Sequence, residues 1–378
     1  MLTSKRPSAL RLALLAATAA AVLVPVPGAG AAVSLPAAPQ VTAAPNGRVH
    51  AIVRVGDTVY LGGSFTAVRR PDGTTATRNR LAAFRVSTGR LTSWNPNANG
   101  TVLALTASSD GTRVFAGGAF TAVGGRTRNR LAKLDSVTGA VSSWRPSASS
   151  TVRALTLKGS RLYAGGTFST INGASVSRLA AVDVSTGAVK TDFKPRPDAG
   201  VRSLAVAPDG TRLYVAGSFT TIGGAGRRYL AAVSPSSGSA RSWAPNPGWF
   251  AYAVAVSPDG SRVYAGGAGT GGHAAAWSPS SNAPRWHQTL DGDVNTLALT
   301  GSSLYLGGHF HTVADHSREK LAALDPATGA VDPWNPGADS LAGIYAVRAG
   351  TNALHVGGDF NVIGGRTQPR YAQFAGTP

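Results

Sequence analysis

The chain contains no cysteine. That excludes disulfides, thiolate metal sites, iron–sulfur clusters and thiol nucleophiles. Glu319 is the single glutamate, against sixteen aspartates. Charged residues make up only 14%, too few for a disordered polyelectrolyte, and the hydrophobic share of 43% is enough for a sizeable core. Beyond the first 32 residues no stretch approaches the roughly eighteen apolar residues that a spanning helix needs, so no membrane span is expected in the remainder. No P-loop, GxSxG, HExxH or kinase motif stands in a fitting context.

What is present begins with a targeting pattern. Lys5, Arg6 and Arg11 precede an apolar run over 12–24, and small residues Ala29, Gly30, Ala31 and Ala32 follow two prolines. This reads as a secretory signal peptide over 1–32, cleaved near Ala31 or Ala32, and predicts a secreted, extracellular chain over 33–378. Formal net charge is +19, and loss of the three cations in 1–32 leaves +16. Thirty of the 36 basic residues are arginine. Such a balance favours acidic polymers, and nucleic acid only through non-specific charge.

With 47 glycines and 23 prolines the chain is rich in turns, and the turns are periodic. A short motif of an aromatic residue, an aliphatic residue, a glycine pair (Ala216-Gly217 in the fourth copy) and usually, two places on, a phenylalanine recurs seven times. Its leading residues are Tyr60, Phe115, Tyr163, Tyr214, Tyr264, Tyr305 and His355, spaced by 55, 48, 51, 50, 41 and 50 residues. Before each motif lies an apolar alternation, joined to it in several copies by an Asp-Gly hairpin signal such as Asp110-Gly111, Asp209-Gly210 or Asp259-Gly260. A polar loop leads to a third apolar run. A Thr-Gly or Ser-Gly turn then leads to a fourth segment ending Trp-x-Pro at Trp94, Trp144, Trp243 and Trp334, with Phe193 in the third copy. Trp286 lacks the proline.

Four short strands every 40–50 residues predict an all-β chain, a seven-bladed β-propeller of four-stranded antiparallel blades. The last copy stops after its third strand, and a spare extended segment over 33–42 precedes the first. That segment is therefore expected to complete the last blade and close the ring, making one monomeric domain over 33–378.

The pattern Gly-Gly-x-Phe-Thr-x-Val/Ile, then Arg-Leu-Ala-x-x-Asp, then Thr-Gly-x-Val-x-x-Trp-x-Pro runs through 49–378. It resembles the delta-60 repeat family of bacterial β-propellers, and the glycine pair with a later tryptophan is also similar to kelch repeats. The resemblance implies a propeller in an extracellular bacterial setting and no particular reaction. The fifth copy departs most: Gly269 replaces the phenylalanine and its loop is short.

Repeats separate residues that recur with the fold from residues that break the pattern. Arg80, Arg130, Arg178 and Arg370 recur just before the third run, which suits a structural role. Arg69, Arg70, Arg78, Arg126, Arg128, Arg227, Arg228, Arg318 and Arg366 on the same loops recur less regularly and are read as colouring one face positive. The second residue of the first strand varies: His50, Leu103, Arg153, Arg202, Tyr252, Asn295 and Tyr345. Six of the seven are polar among apolar neighbours, as expected of a water-lined funnel that contacts a ligand. Trp249 and Phe250 stand where other copies have small or polar residues, and suggest an exposed sugar-stacking platform beside the short loop. His309 and His311 are two apart, as on one strand face, and Asp359 holds the same repeat position one copy later. Together they suggest a divalent-metal site of two histidines and a carboxylate.

The expected function is non-catalytic binding of an extracellular partner through this face: a glycan, an acidic polymer or another protein. Two alternatives stand beside it. One is a polysaccharide lyase or hydrolase using His309, His311 or Asp359 with Arg153 or Arg202. The other is a cell-wall-associated structural protein.

Overall fold

The computed structural model describes residues 35–350 and 352–376. The targeting segment at 1–32 and the first two residues of the expected closing strand lie outside them. The described chain is all-β, built of many small antiparallel sheets.

Each repeat forms one main sheet. Its inner strand pairs with the strand carrying the glycine motif, which pairs with the third. In the second repeat these are Val102–Ala107, Arg113–Gly118 and Leu131–Asp135. Middle and third strands are buried on both faces, because neighbouring sheets cover both sides. Two-residue hairpins such as Ala122–Val123 with Arg126–Thr127 cap the loops between middle and third strands.

The expectation of a seven-bladed propeller with four-stranded blades needs correction. Among the described residues no sheet closes or curls into a ring, and the strand ladders stay inside separate small sheets. Six of the seven main sheets have three strands. In five of those the segment expected as a fourth strand makes one isolated bridge: Phe84–Leu91, Leu134–Val141, Val182–Val189, Val233–Ala240 and Leu324–Val331.

The Trp-x-Pro sequence accounts for this. Proline has no N–H to extend a ladder, and the indole leans on the next unit. Trp94 Nε1 donates to the Asp135 carbonyl (2.9 Å), Trp144 Nε1 to Asp183 (2.8 Å) and Trp243 Nε1 to Ser278 (3.0 Å). Trp286 makes the same kind of bond, to the Pro326 carbonyl (3.2 Å), so the proline and not the indole sets the fifth repeat apart. The fifth repeat, whose Trp286 lacks the proline, forms a full fourth strand, Pro284–Leu290, along Gly271–Trp277.

The closing strand is corrected too. From 35–42 one bridge reaches the last sheet, Gln40–Gln373. Side chains supply further bonds at the junction, the Trp334 indole donating to the Pro36 carbonyl (3.1 Å) beside two amides. Gln368 Nε2 donates to the Thr42 hydroxyl (2.9 Å) and carbonyl (3.3 Å), and Gln373 Nε2 donates to Gln40 Oε1 (2.7 Å). Ala44–Pro45 then pairs with Ala67–Arg69 of the first repeat. Gln368 and Gln373 are both buried, so each lost bond leaves a buried polar group unpaired. Gln368→Ala is expected to lose about 1–3 kcal/mol. By differential scanning calorimetry that lowers Tm by roughly 2–6 °C. An unchanged Tm would show that the amide clamp contributes nothing.

Neighbouring main sheets meet along their inner strands in chain order, and Ile344–Ala349 of the seventh lies against Val49–Val55 of the first. The glycine pair makes this approach possible. A Cβ on Gly117 would stand 2.7 Å from Val152 Cγ1 of the next sheet, and one on Gly118 would stand 2.1 Å from the Thr101 carbonyl oxygen of its own.

Candidate functional site

Near the start of every inner strand, at its second residue or, in Phe250–Val256, its third, lies the extra residue of a β-bulge. The register shifts at His50, Leu103, Arg153, Arg202, Tyr252, Asn295 and Tyr345, always opposite the glycine motif. A bulge releases one residue from the ladder and re-aims its side chain. Because inner strands of successive sheets adjoin, the bulges of successive repeats lie on adjoining strands.

Their contacts bear this out. The His50 and Tyr345 rings lie 5.0 Å apart. The Arg202 guanidinium sits 4.1 Å over the Tyr252 ring, a cation–π contact. Asn295 Nδ2 donates to the Ile344 carbonyl (3.4 Å). Burial lowers the Arg153 pKa, and the Arg202 guanidinium lowers it further. Burial also brings His50 down to about 4, helped by Arg48 and Arg153 and opposed by Asp359, so its imidazole is neutral near pH 7. Among the described residues neither Arg153 nor Arg202 has a carboxylate partner within 4.0 Å.

Next to His50 a cleft of about 380 Å³ is lined by Arg48, Ser64, Asp339, Asp359, Asn361 and Arg370, among others. Arg48 Nε lies 3.5 Å from Asp359 Oδ2. Asp359 also accepts a hydrogen bond from the Ser340 hydroxyl. Sequence reasoning missed Arg48, although a cation stands at this position in the first repeat and in no other copy.

The expected metal site does not assemble. The strand ends at Gly308, so the period-two argument for His309 and His311 has no strand to act on. Their ring centroids are 6.3 Å apart and steeply inclined. His311 Nδ1 is 3.3 Å from Asp291 Oδ2, and its Nε2 accepts from Lys320 Nζ (2.7 Å). Asp359 is held elsewhere, by Ser340 and Arg48. Among the described residues no group of three or more His, Asp or Glu side chains is placed to share a metal ion.

The aromatic platform is corrected in part. Trp249 is 5% exposed and belongs to the core between the fourth and fifth sheets. It fills the space left by the missing phenylalanine at Gly269, where a Cβ would meet Trp249 Cβ at 3.0 Å. Phe250 is 42% exposed, with its ring 4.8 Å from that of Tyr229 and tilted 58° to it.

The arginines divide in a way the sequence hid. Arg80, Arg130, Arg178 and Arg370 all have φ near +65°, a left-handed conformation costly for a side chain. Their backbones turn the chain into the third strand. The guanidinium Nη1 of Arg130 donates to Ala148 O (3.2 Å) and that of Arg178 to Pro197 O (3.2 Å). Arg78, Arg128, Arg227 and Arg318 are not loose surface cations. Each donates to a carbonyl of the fourth segment: Thr92 (2.8 Å), Ser142, Arg241 (2.8 Å) and Asp332 (2.8 Å). Much of the cationic face is thus fastened to the fold.

Sequence reasoning also missed the pair His273 and His287. Their rings stack at 5.2 Å, with His273 Nδ1 3.1 Å from His287 Nε2. Burial lowers the pKa of both, and each His273 charge would also face His287.

Comparison with protein families finds one match. Residues 109–141 match the family described as a domain of unknown function (DUF5122) beta-propeller. The matched stretch is a small part of the chain, within the second repeat, so a general likeness to β-propeller repeats is supported and no narrower family. Comparison with curated proteins finds no match. Among the described residues no helix is long and apolar enough to cross a membrane.

Proposed function

We propose that the chain is an exported, non-catalytic binding protein for an acidic glycan, which it holds over the bulge residues. The observation that carries this is the pair Arg153 and Arg202, adjacent, without carboxylate partners among the described residues, and beside Tyr252. Two neighbouring guanidiniums, with the Arg202 charge lowering the Arg153 pKa, favour an incoming anion, which relieves that repulsion. Aromatic faces at Tyr252 and Tyr345 suit the apolar faces of sugar rings. A uronate-bearing glycan offers both features: planar carboxylates for the forked donors and pyranose rings for the aromatics.

The test is binding of the purified chain to neutral and acidic polysaccharides across a salt series. Acidic polymers are expected to bind and neutral ones to fail. With the two guanidinium contacts, log affinity should fall against log salt with a slope of roughly −1.4. Salt-insensitive binding, or none to any polyanion at low ionic strength, would contradict the proposal.

The His50–Tyr345 contact favours one second reading, β-elimination of a uronate glycan. Neutral His50 would withdraw the proton α to the carboxylate, and the Tyr345 hydroxyl would protonate the departing glycosidic oxygen. The arginines would stabilise the enolate. Unsaturated uronate ends, read by ultraviolet absorbance, would support it. Their absence over prolonged incubation would leave binding alone. Hydrolysis has weaker support, since it needs two free carboxyl groups across the scissile bond, and the two in the cleft are engaged: Asp359 by Ser340 and Arg48, Asp339 by the backbone N–H groups of Asn361 and Val362.

A further inference from the structure

The fifth repeat departs most from the others, and its departures meet at one place. Gly269 replaces the recurrent phenylalanine, and a Cβ there would stand 3.1 Å from His273 Nε2. Trp249 stacks on the His273 ring at 5.3 Å with the planes 16° apart. The missing proline allows the complete fourth strand Pro284–Leu290, which pairs Ala275 with His287 and His273 with Thr289. His287 thereby lies diagonal to His273 on the same sheet face, the arrangement in which long side chains of paired strands touch. None of these features occurs in another repeat.

We propose that His273 and His287 form a two-imidazole site for a divalent transition metal, with Cu(II) the preferred ion. His273 Nδ1 and His287 Nε2 are 3.1 Å apart. With metal–nitrogen bonds of about 2.0–2.1 Å, that separation subtends roughly 95–100° at a shared ion, suited to two adjacent positions of a tetragonal shell. Water completes the shell, because His287 lies on the exposed side of the sheet. Trp249 holds the His273 ring from beneath, and the strand ladder fixes the spacing of the two backbones. Imidazole ligands and a tetragonal shell select Cu(II) over Zn(II), as does the general affinity order of divalent ions. The site is separate from His309, His311 and Asp359 and independent of the glycan reading.

The test is titration of the tag-free chain with Cu(II), followed by calorimetry, by electron paramagnetic resonance and by tryptophan fluorescence. One equivalent is expected, with splitting from two imidazole nitrogens and quenching of Trp249 beside it. His273→Gln and His287→Ala should each weaken binding by about 100-fold. His309→Ala should leave it unchanged, and Zn(II) should bind more weakly than Cu(II). Circular dichroism and Tm of each variant establish that it folds, and exposed His287 is the safer of the two to remove. Copper that survives the double variant, or no stoichiometric copper in the parent chain, would overturn the proposal and leave the pair as a hydrogen bond alone.

Discussion

Alanine at Gly118 is expected to cost about 3 kcal/mol or more and to lower Tm by roughly 6–10 °C, from one added methyl group. The new Cβ would stand 2.1 Å from the Thr101 carbonyl oxygen and 3.0 Å from Val102 Cα. Both obstacles are backbone, so no side chain can rotate away. The backbone that must move carries the bulge at Leu103 and the inner strand that meets the neighbouring sheets. Gly226→Ala is the matched control, since nothing lies within 4 Å of a Cβ there and its φ is not in the left-handed region. Calorimetry of the two variants checks the claim. Equal melting temperatures would show that the glycine pair is not required by close packing.

Removal of both Arg153 and Arg202 as alanines is expected to weaken binding of an acidic glycan by about 100-fold or more, as two charge-assisted contacts are lost. The salt dependence should flatten at the same time, because fewer counterions are exchanged. The same number of charges removed at Arg126 and Arg366, exposed loop residues, gives the comparison. If the field of the whole cationic chain governs binding, both double variants should weaken it alike. If the bulge residues govern it, only the first should. Affinity measured side by side on one acidic polymer separates the two cases. Equal losses would move the site away from Arg153 and Arg202.

Strand positions were legible because period-two alternation and Asp-Gly turns are local signals. Leu131–Asp135 and Val152–Lys158 lie where the apolar alternation puts them. The fourth segment is less legible because its tryptophan suits a strand, while the proline two places on has no N–H to extend the ladder. The indole bonds from Trp94 and Trp144 to the next unit are long-range and leave no local trace.

The ring-closing strand failed for a related reason. Counting strands supplied a missing partner for Tyr371–Ala375, but the junction is built in part by the amides of Gln368 and Gln373, which no strand pattern displays. At the site, the polar break at His50, Arg153 and Arg202 was visible in the repeat comparison, and the bulges give it a structural cause. Metal ligation by His309 and His311 was inferred from a strand that ends one residue too early, at Gly308. The pair His273 and His287 is fourteen residues apart and meets only because a fourth strand forms. The missing proline after Trp286 was the available signal.

The most direct test of the central claim is a crystal structure of the chain with a short oligogalacturonate. The account predicts sugar density over the bulge residues, with uronate carboxylates on the guanidiniums of Arg153 and Arg202 and a pyranose ring against Tyr252 or Tyr345. Density seated instead on the loop arginines, such as Arg126 and Arg366, with the bulge residues bare, would contradict it.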